Sequence, residues 1–376
     1  PSEPLAEAPN LAENISTAGQ ILVKANQIEL MSATLEASGG QGGVITLDAA
    51  ATQSVSVSAP STPPAPLPEP QPSKLALNGL SQLNTRGRLG KGGNQTLIAD
   101  DIHLNNSTTL SATGAIGGGQ VLVGGDWQGS GDIYQATTVT MEAGASIDAS
   151  ATNNGDGGKV VLWSDITNAE SVTSVKGSIT AKGGDNGGDG GKIETSGALL
   201  ITEGVNGSAA APKGKAGEWL FDPTNVTIGD SGAALSQNNG TSISATSIKG
   251  LLDGGTSVTV TTSSNGTDLG DLTVNSQILA TGSSEVTLTL RAANSIVINQ
   301  LVGQSATSAG KLNLIIDADN DTAASTAGTA PLRDGGGLII LEASLQTNGG
   351  NITFGGTPAG ANGVYTGGDL YVGGGD

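Results

Sequence analysis

Along most of the chain, short apolar runs alternate with polar residues, and each run ends in a turn rich in Gly, Asn or Asp. Val258-Thr259-Val260, Leu272-Thr273-Val274 and Val286-Thr287-Leu288-Thr289-Leu290 have the two-residue period of strands with one buried face. Ile296-Val297-Ile298, Leu312-Asn313-Leu314-Ile315-Ile316, Leu338-Ile339-Ile340-Leu341 and Ile352-Thr353-Phe354 extend the series.

One unit recurs: a strand ending in a small residue, a glycine-rich turn, then a second apolar strand. Leu35-Glu36-Ala37-Ser38 leads through Gly42-Gly43 to Val44-Ile45-Thr46-Leu47, and Leu110-Ser111-Ala112 leads through Gly117-Gly118-Gly119 to Val121-Leu122-Val123. Ile147-Asp148-Ala149-Ser150 leads to Gly157-Gly158-Lys159-Val160-Val161-Leu162, and Ile179-Thr180-Ala181-Lys182 to Gly190-Gly191-Lys192-Ile193. A looser copy runs from Val205-Asn206-Gly207-Ser208 to Ala216-Gly217-Glu218-Trp219-Leu220. From Lys159 to Lys192 is 33 residues and from Lys192 to Glu218 is 26, so the period is irregular.

A parallel β-helix permits this, because each coil can carry a loop of any length at a corner while its strands stay stacked. Tandem hairpins would instead show two-residue Asn-Gly or Asp-Gly loops. The glycine pairs are expected to supply positive φ and close approach between coils, with Asn and Asp in stacked turn ladders. At about 20 to 30 residues per coil the chain would make about 13 to 18 coils, a rod about 60 to 85 Å long. Its open ends are unpaired strand edges.

Two segments depart from the pattern. The proline-dense stretch from Ala59 to Pro72 cannot join a ladder and reads as an exposed excursion or linker. Between Ser244 and Leu252, Ile248, Leu251 and Leu252 sit at helical spacing before Gly254-Gly255, which predicts a short helix packed on or beside the rod. The expected division is 1–58 as N-terminal arm and first coils, 59–74 as proline-rich linker, 75–228 as β-helix, 229–256 as a connecting segment with the helix, and 257–376 as further coils.

Composition agrees with strand and turn: Gly accounts for 60 of 376 residues, while Phe, Trp and Tyr number 2, 3 and 3. There is no cysteine, so stacking must hold the fold without disulfides or thiolate metal sites. The net charge of −19, with 13% charged residues, argues against nucleic-acid or anionic-membrane binding. No apolar run is long enough to span a membrane. Pro1 is not a natural translation start, so a mature product or a fragment of a longer protein is expected.

Gly118-Gly119-Gln120-Val121-Leu122-Val123-Gly124-Gly125-Asp126-Trp127-Gln128-Gly129, Ile147-Asp148-Ala149-Ser150-Ala151 and Gly155-Asp156-Gly157-Gly158-Lys159-Val160-Val161-Leu162-Trp163-Ser164-Asp165 follow one another in the chain. Ile193-Glu194-Thr195-Ser196-Gly197 and Leu220-Phe221-Asp222-Pro223-Thr224-Asn225-Val226-Thr227-Ile228 continue the series. In this order the motifs resemble the filamentous haemagglutinin-like exoproteins. The resemblance implies a right-handed parallel β-helix, exported through an outer-membrane partner by two-partner secretion and serving adhesion, aggregation or matrix formation. The Asn-Pro-Asn motif that marks the secretion domain of such proteins is not in this sequence, so that domain is expected outside it or removed.

The candidate chemistry is sparse. His103, the one histidine, alternates with Ile102 and Leu104 and is read as solvent-facing, and a Ser-His-Asp triad would rest on it without a nucleophile elbow. Acidic residues fall mostly in turns such as Gly184-Asp185-Asn186-Gly187-Gly188-Asp189-Gly190, and no arginine cluster accompanies them. Calcium is a weaker expectation than a solvated acidic loop; its candidate ligands are Asp317, Asp319 and Asp321 at alternate positions and Asp185 with Asp189. Trp163 and Trp219 are read as core or coil-edge packing. No catalytic or cofactor-binding residue is predicted. The expected function is a secreted surface or extracellular-matrix adhesin with no enzyme activity, built as a rigid fibre that binds surface glycans or proteins and self-associates end to end. A carbohydrate-binding or polysaccharide-cleaving β-helix is the alternative.

Overall fold

The computed structural model describes residues 18–50, 72–230, 241–264, 268–318 and 338–355, and the backbone of 369–372. It is a parallel β-helix whose coils contribute strands to three faces. The first face holds 11 strands, from Gln20–Lys24 to Ile352–Phe354, and the second holds 12, from Gln27–Met31 to Asp369–Val372. The third face is split into 6 strands, from Thr34–Glu36 to Asn206–Ser208, and 3 strands, from Ile278–Ala280 to Leu345–Gln346.

The repeats read from the sequence are the register of the first face. Lys159 pairs with Lys192 and Lys192 with Glu218, all in parallel. The strands before and after the proline-rich stretch also pair, Gln27–Met31 with Lys74–Asn78 and Val44–Asp48 with Asn94–Ile98. Among the described residues the first face has 11 strands, fewer than the roughly 13 to 18 coils expected for the whole chain. Eleven first-face strands make a stack about 50 Å long, because loop excursions at the corners lengthen the average coil well beyond the shorter ones.

Inward positions form one continuous core of Leu, Ile, Val and Ala, such as Leu47, Leu97, Val123, Leu162 and Leu290. Trp219 and Phe221, fully buried, stack inside it with ring centroids 5.6 Å apart. Inward positions also hold polar residues; the Gln95 amide donates to the carbonyls of Leu83 and Ser111 and to the Thr85 hydroxyl, tying first face to third.

The corner glycine pairs act through close approach alone. A Cβ on Gly118 would lie 1.8 Å from the Ala149 carbonyl oxygen, and one on Gly190 1.8 Å from that of Ala209. Positive φ falls on the residues before the pairs, at Gly155 (φ +98°) and Gly188 (φ +113°).

The helix spans Ala245–Asp253, and the Ser244 hydroxyl accepts from the Ser247 N–H as its N-cap. Ile248, Leu251 and Leu252 are buried in the main core, so the helix is a wall of the rod instead of lying on it. It stands between the two third-face sheets, touching Asn206–Ser208 on one side and Ile278–Ala280 on the other. One coil therefore closes with a helix in place of a strand. In that coil Ser242–Ile243 is inserted between Leu199–Ile201 and Val226–Ile228, out of chain order, which gives the second face its extra strand.

Candidate functional site

Outward residues of the first face are normally wet, but in the middle of the rod they are covered. Leu122, Val161 and Trp163 alternate with core residues and form a second apolar cluster outside the coil wall, roofed by Trp127, Ile133 and Ile166. Apart from Ile166, the roof is the excursion between Val123 and Thr138, which crosses over later coils. Its chain passes close to Trp163: a Cβ on Gly125 would meet the indole at 2.4 Å and one on Gly129 (φ +62°) at 2.6 Å. The Trp163 indole N–H donates to Gln135 Oε1 at 2.8 Å.

Polar contacts pin the same excursion along its length. The Asp126 carboxylate pairs with Lys159 at 2.5 Å, and Lys192 Nζ lies 5.2 Å from the centre of the Trp127 ring. The Tyr134 hydroxyl donates to Asp100, whose carboxylate also accepts from the Ser73 N–H and hydroxyl. Burial acts to raise the Asp100 carboxyl, but these bonds outweigh it and hold it below the usual range; the bond to Asp100, with burial, pushes the Tyr134 hydroxyl up to about 12.

Under the roof lies Glu194, fully buried, accepting from the Gln128 N–H at 2.9 Å and the Ser196 hydroxyl at 2.9 Å. Burial pushes its carboxyl up to about 7, against those hydrogen bonds and with help from the charges of Asp222 and Asp126. Asp222, paired in register with Ser196, is pushed up by burial to about 7 as well. Two carboxyls on adjacent coils are thus held near neutrality by desolvation. Sequence reading missed them, since Lys192-Ile193-Glu194-Thr195-Ser196 reads as a strand with Glu194 facing water. The covering segment comes from two coils earlier, and no local pattern reports it.

The residues singled out from the sequence are scattered. His103 is outward and half-exposed, 3.5 Å from Glu142, its cross-strand neighbourhood on the second face. Asp317 is 1% exposed and faces Arg291 Nε at 3.6 Å, so an ion pair occupies it. Asp319 and Asp321 lie outside the described residues. Asp185 and Asp189 are exposed on a turn far along the chain from Asp317. Asp189 belongs to a turn ladder: its N–H donates to Asp156, and its carboxylate accepts from the Lys215 N–H at 2.8 Å. Asn186 donates to Asn153 beside it at 2.7 Å. Among the described residues no group of three or more His, Asp or Glu could hold a metal ion. Trp163 and Trp219 are both buried, Trp219 in the core and Trp163 in the outer cluster.

The fold and this covered surface define a β-helical solenoid protein with its polar groups arrayed along the outside of a rod. Compared with known proteins, the chain matches no family model and no curated protein.

Proposed function

We propose that the protein is a secreted structural scaffold or adhesin of a bacterial surface or extracellular matrix, which works through repeated contacts along its sides and not through catalysis. The observation that supports this most is the continuous stack of eleven parallel strands, a rod whose side chains recur at a fixed axial step. Contacts too weak to hold singly add along such a rod and across many copies through effective concentration. The resemblance to filamentous haemagglutinin-like exoproteins supports the same reading and adds export through an outer-membrane transporter. The strand edges at the two ends of the stack suit addition of further coils or of a second copy.

Negative-stain electron microscopy at increasing protein concentration, with and without calcium, tests the scaffold. Discrete rods with a stacked core about 50 Å long, or filaments built from them, are expected. Round particles without a long axis would contradict it.

A further inference from the structure

We infer that one corner of the rod binds a linear, uncharged polysaccharide laid parallel to the rod axis. This rests on the reading that the sides of the rod make its contacts, and it names where and to what.

A single register row of polar residues borders that corner. Asn94 pairs with Gln120, Gln120 with Lys159, and Lys159 with Lys192. The row continues through Glu218 and Ser257 to Thr287 paired with Asn313. Two surface cavities open along this one row. The first, about 480 Å³, lies over Asn94, Gln120, Lys159 and Lys192 and is floored by the stacked glycine pairs. The second, about 710 Å³, lies over Ser257, Thr287 and Asn313 and is flanked by Lys215 and Glu285.

The geometry suits a polymer better than a small molecule. Over the first cavity the stacked glycine pairs keep the floor low between the side chains of Lys91, Asp156 and Asp189 on one side and the register row on the other, so a chain can lie across several coils there. Each coil advances by about 4.8 Å, close to the advance of one sugar in an extended pyranose chain, so successive sugars meet successive polar positions of one register row. Amide, hydroxyl, ammonium and carboxylate groups supply donors and acceptors for sugar hydroxyls. A peptide has less to hold. The strand backbones beside the row are already paired in their ladders and offer no edge for strand addition. A polyanion would meet a chain of net charge −19, and two of the lysines are engaged, Lys159 by Asp126 and Lys192 by the Trp127 ring.

Affinity electrophoresis of the full chain in native gels containing a soluble linear glucan, mannan or xylan tests the inference, with alginate as the polyanion. Retardation by at least one neutral polymer is expected, with affinity rising as oligosaccharides lengthen to span several coils. The double variant of the exposed Asn94→Ala and the half-buried Gln120→Ala, with an unchanged melting curve, should weaken it about tenfold. Absence of retardation by all three, retardation by alginate alone that salt removes, or equal retardation of the variant would overturn the inference. Rods in the microscope without retardation would sink the groove and leave the scaffold reading intact, whereas round particles would sink the reading beneath it.

Discussion

Gly118→Ala is expected to destabilise the rod by more than about 4 kcal/mol, a loss in the range that single substitutions reach only through a specific structural conflict. The added methyl would lie 1.8 Å from the Ala149 carbonyl oxygen and 2.3 Å from the Gly158 nitrogen. The two atoms are bonded to each other across the corner of the next coil, Gly158 N–H to the Ala149 carbonyl, and Gly118 N–H itself donates to that coil at the Asp156 carbonyl. Relief therefore means moving one coil away from the next, which costs ladder bonds and core contacts together. Gly250→Ala is the counterpart. It lies in the helix, where a Cβ meets nothing within 4 Å, and should stabilise by roughly 1 kcal/mol because alanine loses less backbone freedom in a helix. Thermal melts of the two variants should move in opposite directions. A Gly118→Ala protein that melts like the parent would show that coil spacing at this corner is not set by backbone contact.

Stability should fall as pH rises from about 4.5 to 8, and the double variant Glu194→Gln, Asp222→Asn should remove much of that slope. Both carboxyls are raised in the folded state, to about 7 each, so they bind protons that the unfolded chain has released. Their contribution is complete below the unfolded carboxyl range and is lost as pH passes through 7. The ionised forms cost on the order of 3 kcal/mol each at alkaline pH. The neutral amides keep acceptors for the Gln128 N–H and the Ser263 hydroxyl without the buried charge. The double variant should therefore be more stable than the parent at pH 8 and close to it at pH 4.5. Asp100, Asp230 and Asp253 work in the other direction: burial raises them, but their hydrogen bonds prevail and lower them, so their contribution fades as pH falls below about 4. Denaturant midpoints across this range read the difference directly, and parallel curves for parent and variant would refute the assignment.

What was legible in the chain is what neighbouring residues decide. The pairs Gly157-Gly158 and Gly190-Gly191 fix where each coil turns, and so Lys159 and Lys192 fall in register. The spacing of Ile248, Leu251 and Leu252 before Gly254-Gly255 fixes the helix. What remained hidden depends on where an excursion returns. The helix replaces a strand of the third face because it re-enters the stack at that position, which its own sequence does not encode. Val161 and Trp163 alternate with Val160 and Leu162 as if facing water, and Glu194 does the same one coil later, until the segment after Val123 folds over them. Coil number among the described residues follows from the same cause, since residues in the excursions add length to a coil without adding a strand.

The scaffold proposal makes its most direct claim about number. Beads carrying graded densities of the full chain, passed over bacterial cells or extracellular matrix with bovine serum albumin beads as the reference, measure it. Retention is expected to rise more steeply than in proportion to density, while the single soluble chain competes poorly. Retention no greater than that of the reference beads at any density would contradict the account, as would retention proportional to density that the soluble chain blocks at low concentration.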